Sequence, residues 1–265
     1  MPAVTLEHRA TLRVGGSEAV DFLQRIVTGD LDALDDGVAK PCALLSPQGK
    51  VLHEFLIARD DGGVLIDVSR AFLPDLARRL MMYRLHADVT FEPRPSAVVR
   101  AVWDAAAPLR DARFGDAVGR AHEASEDDGT LAEWTRLRIA AGVAELGTDF
   151  APDTYFPHDL GMPAMGAVSV RKGCFVGQEV VSRMHHRNTG RRGVARVRGR
   201  SALPAPGTDI VANDRPIGSL GSVLDRDGLA IVRTDRLEDA VAGGHDVLAD
   251  GVALTLEPIA RAAPA

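Results

Sequence analysis

The spacing of apolar residues changes several times along the first 95 positions, and each spacing predicts a different element. Residues 4–14 loosely alternate between apolar and polar, which predicts a strand. Residues 17–30 place apolar side chains at helical intervals, with Ser17 as a candidate cap and Glu18 in the first turn. The next predicted elements are three strands within 42–69, a helix over 71–85 and a strand over 87–94. This mixture of strands and helices predicts an α+β fold.

The pattern changes again in the second half of the chain. Residues 104–130 have the weakest pattern, with surface loops predicted at 105–108 and 123–130, and residues 131–143 predict an amphipathic helix. Residues 147–170 are rich in Pro and Gly, and long irregular segments of this kind are typical of the wall of a site. Short apolar runs beyond residue 191 predict a small antiparallel β-barrel. They are separated by the turn dipeptides Asn213-Asp214, Asp227-Gly228 and Asp250-Gly251. We therefore expect two domains, 1–190 and 191–265.

Composition narrows the class of protein without naming a function. The chain has 265 residues, of which 46% are hydrophobic and 26% charged, and its net charge is −6. The acidic balance gives no general reason to expect nucleic acid or an acidic membrane as partner. Two cysteines are too few for a disulfide framework, which favours a reducing compartment. The N-terminal residues lack the apolar core of a signal peptide, and no apolar run approaches roughly 20 residues. We expect a cytoplasmic protein without membrane spans.

Generic catalytic motifs are absent from the sequence, and two weaker features need weighing. His185 and His186 are adjacent, and neighbouring side chains on a helix point about 100° apart, so they chelate poorly and no metal site is predicted. Seven arginines fall within residues 183–200. They fit either a solvated helix end and edge strand or a patch for RNA phosphates, and the residues alone leave both interpretations open.

The two cysteines lie in different surroundings. Cys42 begins an apolar run and is predicted to be buried in the core, where a free cysteine behaves as a small hydrophobe. Cys174 follows Lys172 and Gly173 and precedes a helix predicted to begin near Gly177. A helix N-terminus and a nearby cation favour the thiolate. These residues alone leave open whether Cys174 is reactive or structural.

The stretch "KGCFVGQE" at 172–179 resembles the K-G-C-[YF]-x-G-Q-E signature of the YgfZ-type folate-binding family, which includes mitochondrial iron–sulfur assembly factors. Further similar stretches, at 22–31, 43–52, 83–91, 137–150 and 156–162, follow in the order that the family shows. The chain departs from the family where Gly29 replaces Asn, His86 replaces Arg and Asp159 replaces Glu. The signature residues are Lys172, Gly173, Cys174, Phe175, Gly177, Gln178 and Glu179.

The resemblance implies a fold shared with the T-protein of the glycine cleavage system, in which subdomains surround a central channel and a C-terminal barrel closes the chain. T-proteins transfer an aminomethyl group to tetrahydrofolate. They carry an Asp-Asp pair where His53 and Glu54 stand, and a Glu that reads the pteridine where Ala140 stands. With both anchors replaced, aminomethyl transfer is poorly supported, and whether the chain is an enzyme stays open.

The resemblance also implies a function. It implies a tetrahydrofolate-binding factor that supports assembly or repair of iron–sulfur proteins, including tRNA-modifying enzymes, with Cys174 as the functional thiol. The expected folate contacts are Glu54, Tyr83, Asp159 and Gln178. A thiolate could ligate a cluster iron transiently, exchange disulfides or attack an electrophile. Expected partners are iron–sulfur client or assembly proteins, bound transiently. Two alternatives remain: a folate-dependent one-carbon transferase and a tRNA-binding module.

Overall fold

The computed structural model describes residues 2–187 and 190–259, without the side chains of His186 and Arg187. Within these ranges it contains fifteen strands and five α-helices. The helices are α1 (Ala19–Gln24), α2 (Leu73–Tyr83), α3 (Leu131–Ala141), α4 (Gln178–Arg187) and α5 (Thr234–Ala242). The strands are β1 (Ala3–Thr5), β2 (Arg9–Gly15), β3 (Val38–Leu45), β4 (Val51–Asp60), β5 (Gly63–Ser69), β6 (Thr90–Arg94), β7 (Arg100–Trp103), β8 (Leu109–Asp111), β9 (Val118–Ala121), β10 (Arg192–Gly199), β11 (Asp209–Ala212), β12 (Arg215–Leu224), β13 (Asp227–Arg233), β14 (Val247–Ala249) and β15 (Val252–Pro258). None of the helices in the described ranges is long and apolar enough to cross a membrane.

The described residues divide into two compact units. Unit 1 comprises residues 2–131 and 165–180, and unit 2 comprises residues 132–164 and 181–259. Residues 132–164 therefore group with the C-terminal strands, although the chain returns to unit 1 between them. The domain boundary predicted near residue 190 stays a prediction. Residues 188, 189 and 260–265, which belong to the two predicted domains, lie outside the described residues.

Unit 1 is built on a nine-stranded sheet in the order β1-β7-β9-β8-β3-β4-β5-β2-β6. The pairing of β3 with β8 is parallel, and the other pairings are antiparallel. Helices α1 and α2 pack on the sheet through buried side chains such as Leu23, Leu76 and Leu80. The strands predicted within 42–69, the helix predicted over 71–85 and the α+β class are confirmed.

The sheet of unit 1 bends back on itself. Arg120 lies in β9 and Asp67 in β5, and three strands separate them in the sheet order. In a flat sheet, four strand steps would place them roughly 19 Å apart. Arg120 Nε nevertheless lies 3.5 Å from Asp67 Oδ2, so the two halves of the sheet face each other across a buried interior.

Two local predictions for unit 1 are wrong. Residues 4–14 form two strands, β1 and β2, rather than one. Ser17 does not cap α1, because its hydroxyl donates to Asp88 Oδ2 at 2.6 Å, and Glu18 occupies the N-cap position without a side-chain bond. Strands β8 and β9 lie between the two predicted loops, in a stretch for which no element was predicted. Their brevity, and the buried polar residues Asp111 and Arg120 within them, hid the usual apolar signal.

The C-terminal barrel of unit 2 is closed, in the order β10-β13-β12-β11-β14-β15, as the turn pattern predicted. Asp250 and Gly251 adopt φ values of 46° and 78°, which is the conformation a tight two-residue hairpin requires. The turn predicted at Asp227-Gly228 is wrong. Residues 225 and 226 connect β12 to β13, while Gly228 pairs with Val223 inside the sheet. Helix α5, whose Leu237 packs on the barrel core, was not predicted.

Candidate functional site

Cys174 lies on an exposed loop of unit 1, four residues before the first residue of α4. The helix predicted to begin near Gly177 begins at Gln178, so the placement of the thiol just ahead of a helix N-terminus is confirmed. Beside it, a Cβ on Gly173 would meet no heavy atom within 4 Å, so this face of the loop is open.

Lys172 fastens this loop to the end of α1. Its side chain is buried, and Nζ donates to the carbonyl oxygens of Gln24, Val27 and Gly29 at 2.6, 2.5 and 2.7 Å. Burial lowers the pKa of the ammonium group to about 8, although its charge interactions with Cys42 and Asp30 oppose the change. The sequence suggested that this charge would act on Cys174. The structure instead engages it with backbone carbonyls, and it acts as a clamp.

Two glycines lock the start of α4 against the turn between β3 and β4. Gly177 has a φ of +79°, and a Cβ there would lie 2.7 Å from the carbonyl oxygen of Ser46 and 2.9 Å from Gly49 Cα. Gly49 has a φ of +83°, and its Cβ would lie 3.0 Å from Val180 Cβ. Both positions therefore require glycine, for conformation and for space. Two stretches that resembled the family at distant points in the sequence thus pack together.

Thr28 holds the upstream end of the same loop and was not singled out from the sequence beyond its place in a turn. Its hydroxyl donates to the carbonyl of Ala167 at 2.7 Å and accepts from the Ala43 amide at 2.9 Å. The Ser169 amide donates to the Thr28 carbonyl at 2.9 Å. Its position in the stretch at 22–31 that resembles the family was the available signal.

Phe175, Gln178 and Glu179 complete the first turn of α4. Phe175 is buried, its amide donates to Gln178 Oε1 at 3.3 Å, and the Gln178 amide donates to the Phe175 carbonyl at 3.2 Å. Glu179 is exposed in the first turn, where a carboxylate favours the helix dipole. Because the side-chain oxygen of Gln178 accepts from the Phe175 amide, only its side-chain nitrogen is left to face a ligand. Its contact with folate stays a prediction.

Cys42 is completely buried, as predicted, and lies in the core of unit 1. Burial raises the pKa of its thiol to about 12, so it stays protonated at neutral pH. A Cβ on Gly29 would lie 2.2 Å from Cys42 Sγ. This contact explains in physical terms why the chain departs from the family at position 29: no larger residue fits while Cys42 fills that space.

Two side chains that stand where T-proteins carry carboxylates, His53 and Glu54, are already engaged by contacts within unit 1. Glu54 is buried, and its Oε1 lies 3.1 Å from Arg9 Nη1. His53 is also buried, and its Nε2 lies 2.9 Å from Asp75 Oδ2. Burial lowers the pKa of His53 to about 4, so the ring is neutral at pH 7. Nδ1 of His53 has no hydrogen-bond partner among the described residues. The expected contact of Glu54 with folate stays a prediction, and its carboxylate is already engaged.

Glu54 belongs to a buried ionic cluster between the two halves of the sheet. Arg120 Nη2 lies 3.2 Å from Asp111 Oδ2, and Arg9 Nε lies 2.7 Å from Asp67 Oδ1. Burial raises the pKa of Asp67, but the charges of Arg9 and Arg120 outweigh it and lower that pKa overall. The members of the ionic cluster are Arg9, Glu54, Asp67, Asp111, Arg113 and Arg120.

Tyr83, the last residue of α2, lines a groove in unit 1 with a volume of about 510 Å³. Phe22, Ile26 and Val176 form apolar walls, and Val176 is two residues from Cys174. The volume lies within the range of small-molecule sites. The contact of Tyr83 with folate stays a prediction.

Asp159 lies in unit 2, within the irregular segment 147–170. It is buried, and its Oδ2 accepts from the Phe156 amide at 3.1 Å. Burial raises the pKa of the nearby Tyr155, whose ring centroid lies 5.8 Å from the Arg192 guanidinium carbon. Ala140 is exposed, and its carbonyl accepts from Arg196 Nη1. The contact of Asp159 with folate also stays a prediction.

The structure describes only some side chains of the pair His185-His186 and of the arginine-rich stretch 183–200. The His185 ring centroid lies 6.0 Å from that of His158, while the side chains of His186 and Arg187 are outside what the structure describes. Among the described residues, no group of three or more His, Cys, Asp or Glu side chains could hold a metal ion. Arg196 and Arg198, in β10, form exposed ion pairs with Glu257 and Asp227.

Comparison with known proteins agrees with these motifs. Residues 191–262 match the family model described as CAF17, C-terminal beta-barrel domain. The iron-sulfur cluster assembly factor IBA57 of Mus musculus, which is mitochondrial, is 27% identical over 88% of this chain and 78% of its own. The tRNA-modifying protein YgfZ of Yersinia enterocolitica is 26% identical over 97% of this chain and 91% of its own.

A solved structure with the same fold is the glycine cleavage system aminomethyltransferase T of Bartonella henselae. It matches with a TM-score of 0.75 over 97% of this chain and 85% of its own, at 16% identity. This likeness shows the fold alone. The relatives confirm the resemblance seen in the sequence: the chain is similar over most of its length to the IBA57 and YgfZ proteins, its fold is T-protein-like, and residues 191–262 match the CAF17 C-terminal barrel.

Proposed function

We propose that this protein is a cytoplasmic, tetrahydrofolate-binding factor that supports the assembly or repair of iron–sulfur proteins, including tRNA-modifying enzymes, with Cys174 as its functional thiol. The names of the relatives support the class of function. The observation that carries the role of Cys174 is an exposed thiol on a loop that is held at each end, by Thr28 and Lys172 on one side and by the Gly177–Gly49 contact on the other.

The surroundings of Cys174 suit reaction with another protein rather than packing. The open face at Gly173 lets a partner approach, and the thiol lies four residues ahead of the first residue of α4. When the Cys174 sulfur binds cluster iron, the thiol loses its proton to solvent and binds as a thiolate, which is a preferred ligand of that iron. One thiolate cannot hold a cluster alone, so the remaining ligands must come from the partner protein.

The folate part of the proposal rests on fewer residues than the sequence suggested. Pterins suit apolar clefts with a few polar groups, and in unit 1 Tyr83 lines such a groove. Gln178 keeps a side-chain nitrogen that its own turn does not use. The carboxylate of Glu54 is not free in this way, because Arg9 already binds it. When bound, tetrahydrofolate supplies a carrier for one-carbon groups. The protein side chains orient it, and no observation on the carboxylates favours aminomethyl transfer.

The decisive experiment compares the two cysteines by complementation of a strain that lacks the protein. Cys174→Ser should fold with an unchanged melting temperature and should fail to support iron–sulfur enzymes. Cys42→Ser should keep that support while losing about 1–3 kcal/mol of stability, since it buries a hydroxyl in an apolar site. In the native protein, iodoacetamide should modify Cys174 and spare Cys42. Full complementation by Cys174→Ser, or faster alkylation of Cys42, would refute the role of the thiol.

Folate binding is tested separately by titration calorimetry with tetrahydrofolate up to millimolar concentration. We expect saturable heat and a rise in melting temperature, both reduced in Tyr83→Ala. Absence of heat and of a thermal shift would remove folate from the proposal without affecting Cys174.

A further inference from the structure

The end of α2 exposes an unusual run of apolar side chains. Among the described residues, six large hydrophobic side chains are exposed, and four of them fall within five consecutive positions. The four are Met81, Met82, Tyr83 and Leu85, with exposed fractions of 56%, 66%, 37% and 85%. Single exposed hydrophobics are ordinary, whereas a contiguous group marks a surface that meets a partner. We call these four residues the 81–85 strip.

The backbone of Leu85 gives a second, independent observation. Its φ is +46°, in the left-handed region that disfavours a leucine. The other non-glycine residues with positive φ in the described ranges are all Asp or Asn, which tolerate this conformation. They are Asp104, Asp153, Asn213, Asp214, Asp225 and Asp250. Leu85 thus combines an unfavourable backbone with nearly full exposure of an apolar side chain, and Asn would suit the free protein better on both counts.

The groove next to the 81–85 strip carries positive charge. Arg25 and Arg84 line it, and neither forms a salt bridge with a carboxylate among the described residues. Glu18, the acidic residue of the lining, has its Oε2 engaged by the Asp88 amide at 2.6 Å. The lining therefore carries two guanidinium groups against one carboxylate, in a chain whose net charge is −6. Its wall includes Val176, on the loop that carries Cys174.

We propose that the 81–85 strip, with Arg25 and Arg84 beside it, forms the docking surface for the iron–sulfur client or assembly protein, which presents an apolar segment flanked by carboxylates. This inference rests on the proposed function, since that function requires a protein partner at Cys174. Methionines adapt to varied apolar partners. The guanidinium groups of Arg25 and Arg84, which form no salt bridge among the described residues, complement an acidic flank. A segment lying along the strip passes beside the groove whose wall includes Val176, and so lies near the loop of the thiol.

Other occupants fit less well. A folate would be enclosed by the cleft and would leave the projecting Leu85 uncovered. An RNA backbone would meet apolar side chains along most of the strip, with only two cations for its phosphates. A second copy of this acidic chain would need to offer an acidic apolar segment, which the test below separates from a client.

The first test uses Leu85→Asn, which relieves the backbone and removes the apolar side chain together. We expect an unchanged or higher melting temperature, unchanged tetrahydrofolate affinity and unchanged alkylation of Cys174. We expect the activity of an iron–sulfur client purified from the complemented strain to fall by about fivefold or more. Val241→Gln, at another exposed apolar residue, is the matched control and should support full activity. Arg84→Glu should resemble Leu85→Asn, and Arg215→Glu should resemble wild type.

The second test identifies the occupant directly. A photo-crosslinking amino acid at position 85 should capture an iron–sulfur enzyme or assembly protein in cells. The purified captured protein should then bind with a Kd that Arg84→Glu weakens by about tenfold and that rises with salt. Two results for Leu85→Asn would overturn the docking surface: full client activity, or a loss of folate affinity. Crosslinks that form only to RNA, only to a second copy of the chain or not at all would also overturn it. Cys174→Ser, run in parallel, separates this failure from failure of the proposed function, because it alone tests the thiol.

Discussion

The sheet of unit 1 and the barrel of unit 2 both enclose a buried interior, but they bury different kinds of side chain. The barrel core is aliphatic, with Ile210, Leu220 and Val232 among its members. The bent sheet of unit 1 also has an apolar core, but between its halves it buries the ionic cluster, in which Arg120 and Asp111 are both inaccessible to water. Removing such charges from water is costly, and only close, well-oriented partners compensate.

The difference shows where each unit tolerates change. Aliphatic cores accept varied side chains of similar volume, so the barrel can drift in sequence while keeping its shape. The ionic cluster accepts only particular partners at particular distances, and it links strands that are not neighbours. In unit 1, which carries Cys174, the arrangement of the two halves of the sheet is therefore specified by pairing of charges rather than by volume alone.

The largest expected effect comes from breaking the ionic cluster. Arg120→Met should cost about 3–5 kcal/mol of unfolding free energy, because it leaves Asp67 and Asp111 buried without their shared cation. Urea denaturation measures it. The control is Arg198→Ala in the barrel, where the pair with Asp227 is exposed and should contribute less than about 1 kcal/mol. Equal losses in both variants would show that burial of charge does not distinguish the two units.

A second expected effect is acid sensitivity of unit 1 through His53. Burial lowers its pKa from 6.5 to about 4. Between these values the unfolded chain binds a proton that the folded chain does not, so the free energy of unfolding falls as the pH decreases from 6.5 to 4. The loss is on the order of 3 kcal/mol. His53→Gln, which keeps a donor for Asp75, should flatten urea-derived stability across that window relative to wild type. A profile parallel to wild type would contradict the assignment to His53.

The smallest effect concerns steric fit beneath the Cys174 loop. Gly29→Ala should cost about 1–3 kcal/mol, because its Cβ would lie 2.2 Å from Cys42 Sγ. Adding Cys42→Ala should recover most of that loss, giving a coupling energy of about 1 kcal/mol or more in a double-mutant cycle of thermal melts. Gly173→Ala is the matched control and should be nearly neutral, since its Cβ would meet nothing within 4 Å. Additive losses would place the strain elsewhere than at the sulfur.

Much of the fold could be predicted because its signals are local. Tight turns such as Asp250-Gly251 depend on the conformations of two residues, and the helix after Gly177 follows from its own side chains. Strands β8 and β9 could not be predicted, because their buried residues are the charges of the ionic cluster and their partners come from elsewhere in the chain.

The candidate site was predictable only in part for the same reason. The motif indicated that Cys174 matters, but the acceptors of the Lys172 ammonium group lie 143 to 148 residues away. No local pattern reveals such a pairing. The exposure of Leu85 and its left-handed backbone were equally hidden, because leucine carries no preference for that conformation.

The contacts of Lys172 also determine when, during synthesis, Cys174 can reach its folded position. Unit 1 is assembled from residues 2–131 and 165–180, so the segment with Cys174 leaves the ribosome after the parts that hold it. The loop can close only once Gln24, Val27 and Gly29 present their carbonyls together. A nascent or misfolded chain therefore carries Cys174 on a free segment. Within unit 1, the position of the thiol is therefore acquired last.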